Sequence, residues 1–267
     1  MNNALSPIVL APTDLAIAAS LIAFDALLSI LLKLNLHRQV LWAAVRMVVQ
    51  LIAIGFLLRL VFALHNPAAT VAVVLVMAMV AAREIAVRPE RRFKGSDGLM
   101  VSATGVAVAT VATVALALLT AIRPHPWYEA RYAISLAGIV LGSVLNSGSL
   151  ALDNLLSAVT RERPSIEAQL GLGESFHDAT RTLVRQAIRR GIMPTVNQMS
   201  AAGVITLPGI MTGQILAGLD PLEAVKYQIL LMFLLAGASG LSAAIIAYLA
   251  LGRLTDERQR LRLDRLR

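Results

Sequence analysis

Long stretches of this sequence contain no charged residue, and they limit the chain to a membrane-spanning fold. Four of them, residues 99–122, 132–152, 191–219 and 227–252, reach the ~20 residues that cross a bilayer core. Charged residues make up only 15% of the chain, whereas a soluble domain typically has about 25%. We therefore predict an all-α polytopic membrane protein.

Three further apolar stretches near the N-terminus raise the predicted number of transmembrane helices to about seven. They cover residues 15–34, 40–64 and 68–87, and the third follows a turn predicted by His65, Asn66 and Pro67. The seven helices form one predicted transmembrane domain, residues 1–267.

The positions of the basic residues predict the orientation of the helices. Nineteen of the 24 Lys and Arg residues fall on one side if the N-terminus lies outside. Because such residues are retained in the cytoplasm, we predict an external N-terminus and a cytoplasmic C-terminus in the plasma membrane, which in bacteria is the inner membrane. The net charge of +8 is then interpreted as contact with anionic membrane lipid, and no nucleic-acid partner is expected.

Two predicted cytoplasmic segments stand out, a loop over residues 153–190 and a basic tail over residues 253–267. The loop is long for a connection in a compact protein, and its apolar residues recur at helical spacing. We predict one or two short amphipathic helices there, with a start at Pro164 or Ser165 and a stop at Gly191 with Pro194.

This loop contains Glu167, Ala168 and, six residues after the glutamate, Gly173. The pattern resembles the EAA loop of ATP-binding-cassette (ABC) importer permeases, in which a short helix sits in a cleft of the ATPase subunit. The resemblance implies that these three residues couple the chain to an ATPase. A basic amphipathic helix that lies in the lipid headgroups is the alternative interpretation.

The sixth predicted span and the residues after it carry a more specific pattern. From Met193 the sequence reads MPTVNQMSAAGVITLPGIMTGQILAGLDPLEAVKYQ. This run resembles the iron-export-associated ABC permeases, the FetB-like family, whose plant relatives are aluminium-tolerance half-transporters. The resemblance implies the permease subunit of an exporter of iron or a related metal or small solute, working as a homodimer with an ABC ATPase.

The chain itself has no Gly-x-x-x-x-Gly-Lys-Ser/Thr loop for nucleotide phosphates. ATP is therefore expected to bind a partner ATPase, with no cofactor in this chain and no enzymatic activity of its own. The chain has no cysteine, and its four histidines have no metal-ligand spacing, so the sequence contains no preformed high-affinity iron site and identifies no metal ligand.

Polar residues within the predicted spans are the candidates for a substrate pathway. Pro208 cannot donate a backbone hydrogen bond and should break the sixth span, and broken helices often line transporter cavities. The predicted pathway residues are Asn146, Asn197, Met199, Pro208, Met211 and Gln214. Asn146 belongs to a polar stripe on the fifth span with Ser143 and Ser147, which serves either the pathway or helix packing.

Asp25, Arg46 and Gln50 lie at similar depths in the first two spans. Because an unpaired charge inside the membrane is costly, we predict an ion pair between Asp25 and Arg46 with Gln50 beside it. The pair has either a structural role or a role in moving a cation. The second possibility supports an alternative function, a self-contained secondary transporter or channel.

Overall fold

A computed structural model describes residues 11–64, 66–123 and 129–267, and the regular elements in these ranges are helices without a strand. The predictions for residues 1–10, for His65 and for residues 124–128 lie outside the described residues. A π-helical turn, Ala117–Ile122, extends the fourth helix. The helices are α1 (Pro12–Leu31), α2 (His37–Leu64), α3 (Pro67–Val87), α4 (Asp97–Leu116), α5 (Ala130–Arg161), α6 (Arg163–Gly171), α7 (Phe176–Ala201), α8 (Gly209–Leu216) and α9 (Pro221–Arg253).

Six of these helices, α1 to α5 and α9, are long and apolar enough to cross a membrane. Large apolar side chains point outward from them, including Trp42 at 69% exposure and Phe56 at 70%. A surface of this kind is stable only in lipid, and the chain is an integral membrane protein. The predicted all-α polytopic fold is confirmed, and the number of spans is close to the predicted seven.

The sixth predicted span, residues 191–219, is interrupted, as Pro208 predicts. Its first part belongs to α7, its last part forms α8, and residues 202–208 separate the two. The predicted helix stop at Gly191 and Pro194 is wrong, because α7 continues through Pro194 to Ala201.

The described helices group into two compact units. The first unit holds α1 and α2 together with residues 216–219. Ala26 and Ser29 of α1 and Val61 of α2 are its buried positions. The Ser29 hydroxyl also accepts a hydrogen bond from the backbone N–H of Leu36 at 2.9 Å, which fixes the connection between the helices.

The second unit contains α3 to α7, most of α8, and α9, with α5 at its centre. Val140 and Val144 of α5 and Ala238 and Ala247 of α9 are completely buried where helices meet. Small side chains at such crossings let helix backbones approach closely, which is the usual basis of helix packing in membranes.

One buried stripe explains why α7 is continuous. It runs along the helix at spacings of three and four residues and consists of Phe176, Thr180, Val184, Ala187, Gly191 and Thr195. A Cβ atom at Gly191 would lie 2.7 Å from the carbonyl oxygen of Ser147 and 3.1 Å from Cβ of Ala243. Gly191 is therefore a close-packing position against α5 and α9, and this packing outweighs the hydrogen bond lost at Pro194.

The basic tail folds back on the loop between α3 and α4. The backbone N–H of Arg267 donates to the carbonyl of Arg92 at 2.8 Å, and that of Lys94 donates to the carbonyl of Arg265 at 2.7 Å. These bonds flank an antiparallel bridge between Phe93 and Leu266, which are 5% and 9% exposed. The end of the chain thus belongs to the core of the second unit.

Candidate functional site

The break between α7 and α8, residues 202–208, has an irregular backbone. Gly203 has a φ of +83°, a conformation that favours glycine, and its N–H donates to the carbonyl of Thr206 at 2.9 Å. Pro208 at the end of the break has no N–H with which to continue a helix. The helix break that Pro208 predicts is therefore present, and it covers residues 202–208.

A cavity of about 510 Å³ opens at this break. Its wall is formed by the end of α7, the break itself, the start of α8 and one face of α9. The wall is mainly apolar and includes Met199, Met211, Met232 and Phe233. Its size and apolar lining are typical of small-molecule sites, for which volumes of roughly 300–1,000 Å³ are usual.

Gln228 is the most informative residue of the cavity wall. It is 8% exposed, and no described group donates a hydrogen bond to its Oε1 atom. It lies with Val225, Ile229 and Met232 on one face of α9, at the three- and four-residue spacing of a helix. This face of α9 was not predicted from the sequence, although Gln228 is an uncharged polar residue within a predicted span and was a visible signal.

The predicted pathway residues divide into two groups. Three of them line the cavity: Met199, Pro208 and Met211. Gln214 is partly buried on α8, and its Oε1 has no hydrogen-bond partner among the described residues. Asn146 and Asn197 are exposed and are not part of the cavity wall. Their role in transport stays a prediction.

The polar stripe predicted on α5 does not share one environment. The Ser143 hydroxyl lies 2.7 Å from that of Ser239 on α9, which in turn lies 2.9 Å from that of Thr195 on α7. Ser147 is 2% exposed and donates to a carbonyl of its own helix. Ser143 thus links α5 to α9 and, through Ser239, to Thr195 of α7, whereas Asn146 is exposed. The role of Asn146 in the pathway or in helix packing stays a prediction.

Asp25, Arg46 and Gln50 belong to the first unit, and all three are exposed. The buried face of α1 is formed by Ala26 and Ser29 instead. The ion pair between Asp25 and Arg46 stays a prediction.

The turn after α6 is a standard helix ending that requires glycine. Gly173 has a φ of +93°, and its N–H bonds back to the carbonyl of Leu170 at 3.1 Å. The next N–H bonds to the carbonyl of Gln169, also at 3.1 Å. This pair of bonds is the Schellman motif, and it projects Leu172 outward with 85% of its surface exposed.

The other two predicted coupling residues lie on the outer face of α6. Ile166 is 1% exposed and anchors the helix to the core, while Glu167 and Ala168 are exposed. The Glu167 carboxylate accepts a hydrogen bond from Nε of Arg163 at 2.8 Å. The α6 segment therefore presents one carboxylate, a small residue and an apolar tip on its surface.

Ion pairs hold the folded tail together. Arg262 donates two hydrogen bonds of 2.8 Å to the Asp264 carboxylate, and they lower the pKa of Asp264 to about 2. The backbone N–H of Arg260 and then its side chain lower the pKa of Asp256. Both carboxylates are therefore ionised at neutral pH. Among the described residues, no group of three His, Asp or Glu side chains is placed to hold a metal ion.

The comparison with known proteins agrees with this architecture. Residues 12–254 match the uncharacterised protein family UPF0014. The chain is 41% identical to the UPF0014 membrane protein slr1647 of Synechocystis sp. over 80% of this chain and 82% of the relative. It is 31% identical to the probable iron export permease protein FetB of Escherichia coli over 95% and 96% of the two chains.

A plant relative extends the comparison. The chain is 32% identical to the UPF0014 membrane protein STAR2 of rice, over 87% of this chain and 79% of the relative. No solved structure matches the chain.

Proposed function

The chain belongs to the UPF0014 family, and on that premise we propose that it is the membrane-spanning permease subunit of an ABC exporter. The name of its relative FetB supports iron, or a related metal or small solute, as the exported substance. A separate ABC ATPase would bind and hydrolyse ATP, and the complex would lie in the bacterial inner membrane. The basic residues of the predicted inner side support a cytoplasmic position for α6 and for the tail.

The continuity of α7 is the observation that carries this proposal. One end of α7 follows the exposed turn at Leu172, and the other end forms the cavity wall at Met199. The helix has 26 residues, which corresponds to about 39 Å at 1.5 Å per residue. A soluble ATPase that moved α6 would thereby move the cavity wall without any further connecting element.

Two glycines in the same segment provide the test of this coupling. Gly173→Ala places a side chain at a φ of +93°, whereas Gly171 is the last residue of α6 and has no positive φ. A Cβ atom at either position would meet no atom of the described chain within 4 Å. We expect Gly173→Ala and Glu167→Lys to reduce ATPase co-purification and ATP hydrolysis, and Gly171→Ala to leave both unchanged. Normal ATPase binding and turnover in all three variants would contradict the docking role.

A homodimer completes the proposed complex, because one copy of a permease provides half of a two-sided pathway. The outer face of α5 supports this arrangement. Asn146 is exposed there, and a Cβ atom at Gly142 would meet no described atom within 4 Å. Because the chain has no cysteine, Asn146→Cys should form a disulfide-linked dimer on mild oxidation. Tyr132→Cys, also exposed on α5 and near its start, is the control for random collisions.

The alternative of a self-contained secondary transporter or channel makes an opposite prediction. Purified protein in liposomes would then transport without any ATPase, and Asp25→Asn would abolish that transport. Transport that depends strictly on an added ATPase and ATP supports the permease function instead.

A further inference from the structure

We propose that the cavity at the α7–α8 break binds a largely apolar organic molecule that donates one hydrogen bond to Oε1 of Gln228. The inference rests on the proposed permease function, and it narrows the substrate to an organic compound, including a metal carried as an apolar chelate. A bare metal ion is not the ligand of this site.

The volume of the cavity supports an organic ligand. A cavity of about 510 Å³ is many times larger than the space of one water molecule, roughly 30 Å³ in the liquid. A bare metal ion is about as large as a water molecule and would leave most of the cavity empty. Organic ligands, by contrast, occupy cavities of roughly 300–1,000 Å³.

The chemistry of the wall supports the same conclusion. Hard cations such as Mg²⁺ and Ca²⁺ are held by several oxygen ligands, and iron is usually held by imidazole and carboxylate groups. No carboxylate or imidazole belongs to the cavity wall in the described part of the chain. Instead, the thioethers of Met199, Met211 and Met232 and the ring of Phe233 offer an adaptable apolar surface.

Gln228 supplies the one specific polar contact. Its Oε1 is buried in the wall without a donor from the described residues, and an unmade hydrogen bond of this kind is unfavourable. A ligand that carries an N–H or O–H group would satisfy it once the amide turns about its last torsion, because Oε1 has almost no accessible surface in the present conformation. Such a single polar contact within an apolar site fixes the orientation of the ligand and discriminates against analogues without the donor.

Two fluorescent probes test the inference with the full-length protein in phosphatidylcholine nanodiscs. 1-Aminoanthracene is apolar and carries an N–H donor, whereas its N,N-dimethyl derivative lacks the donor. Signal from empty nanodiscs is subtracted. We expect saturable binding of 1-aminoanthracene, and binding of the dimethyl derivative weaker by about tenfold, since one hydrogen bond to a buried group is at stake.

Matched variants assign the binding to this cavity. Gln228→Met keeps the size of the side chain and should bind both probes equally. Val225→Phe fills part of the cavity and should lose binding, whereas Val76→Phe, at a position 55% exposed on α3, should bind like the original protein.

Any of the following three outcomes would overturn the inference. Equal binding of the two probes by the original protein would exclude the role of Gln228, and this comparison needs no variant to fold. Absence of saturable binding would show a wall packed by lipid or protein. Unchanged binding by Val225→Phe would place the probe elsewhere. Because ATPase co-purification is measured separately, the permease function can stand when the cavity inference fails, and the reverse also holds.

Discussion

Gly191→Ala is a sharp perturbation of the helix packing, because the added side chain would meet the backbone of another helix. A Cβ atom there would lie 2.7 Å from the Ser147 carbonyl oxygen, 3.0 Å from Cβ of Ala151 and 3.1 Å from Cβ of Ala243. The nearest atom belongs to a helix backbone and cannot rotate away. The helices α5 and α7 must therefore move apart.

The expected change in stability follows from two opposing effects. Overpacking costs about 1–3 kcal/mol, and alanine gains about 0.5–1 kcal/mol over glycine within a helix. Because the clash involves backbone, we expect the free energy of unfolding of the variant to be about 1–2 kcal/mol lower. This loss corresponds to an apparent melting midpoint about 2–8 °C lower.

The assay is thermal unfolding of the purified protein in detergent. Gly237→Ala is the matched control, since Gly237 lies within α9 and a Cβ atom there would meet no described atom within 4 Å. The control should keep or slightly raise the midpoint. If Gly191→Ala melts at or above the midpoint of the original protein, α7 is not closely packed against α5 and α9 at Gly191.

Four further predictions concern the break, the tail and the topology. Gln214→Cys should react with aqueous thiol reagents in at least one nucleotide state, and a thiol that never reacts would place this residue in packed core. Leu266→Asp should release the tail and make the backbone at Phe93 accessible to protease, and equal protection would contradict the docking. Because the pKa of Asp264 is lowered to about 2, its ion pair with Arg262 should persist from neutral pH to about pH 4 and weaken only as the pH falls towards 2; a carboxylate chemical shift of Asp264 that titrates at about pH 4 would contradict it. A reporter fused after Leu219 should lie outside, and a cytoplasmic signal would overturn the predicted orientation.

The membrane helices were largely predictable from sequence because the bilayer fixes their length and composition locally. The start of α3 is an example. Asn66 accepts a hydrogen bond from the N–H of Ala68 at 2.8 Å, and Pro67 occupies the first turn, so local residues alone define this boundary.

The course of α7 was not predictable in this way. Pro194 and the arginines before it indicated a helix end at the membrane surface. The buried stripe that continues past Pro194 contacts α5 and α9, and only the positions of those helices show that its packing outweighs one lost hydrogen bond. Local sequence patterns contain no information about a contact between residues about 40 or more positions apart in sequence. The contact between Gly191 and Ser147 is of this kind.

Only part of the cavity wall could be predicted from the sequence, because the rest depends on how distant helices pack together. Met199, Pro208 and Met211 were identified because Pro208 marks a break in the sequence itself. Gln228 joins them only because the break packs beside α9. The inward position of Ser143 and the outward position of Asn146, three residues apart, likewise depend on which side of α5 the other helices occupy.

The tight contact at Gly191 also has a mechanical consequence. At Gly191, α5 and α9 leave no room for a side chain, so if α7 moves as one piece it would turn about this position. From this fulcrum the arm to Phe176 is about 22 Å and the arm to Ala201 about 15 Å, at 1.5 Å per residue. A sideways push at the α6 end would therefore reach the cavity reversed in direction and reduced to about two thirds of its size. Opening the cavity by a given distance thus requires a larger displacement at the α6 end, and the force at the cavity wall is correspondingly greater.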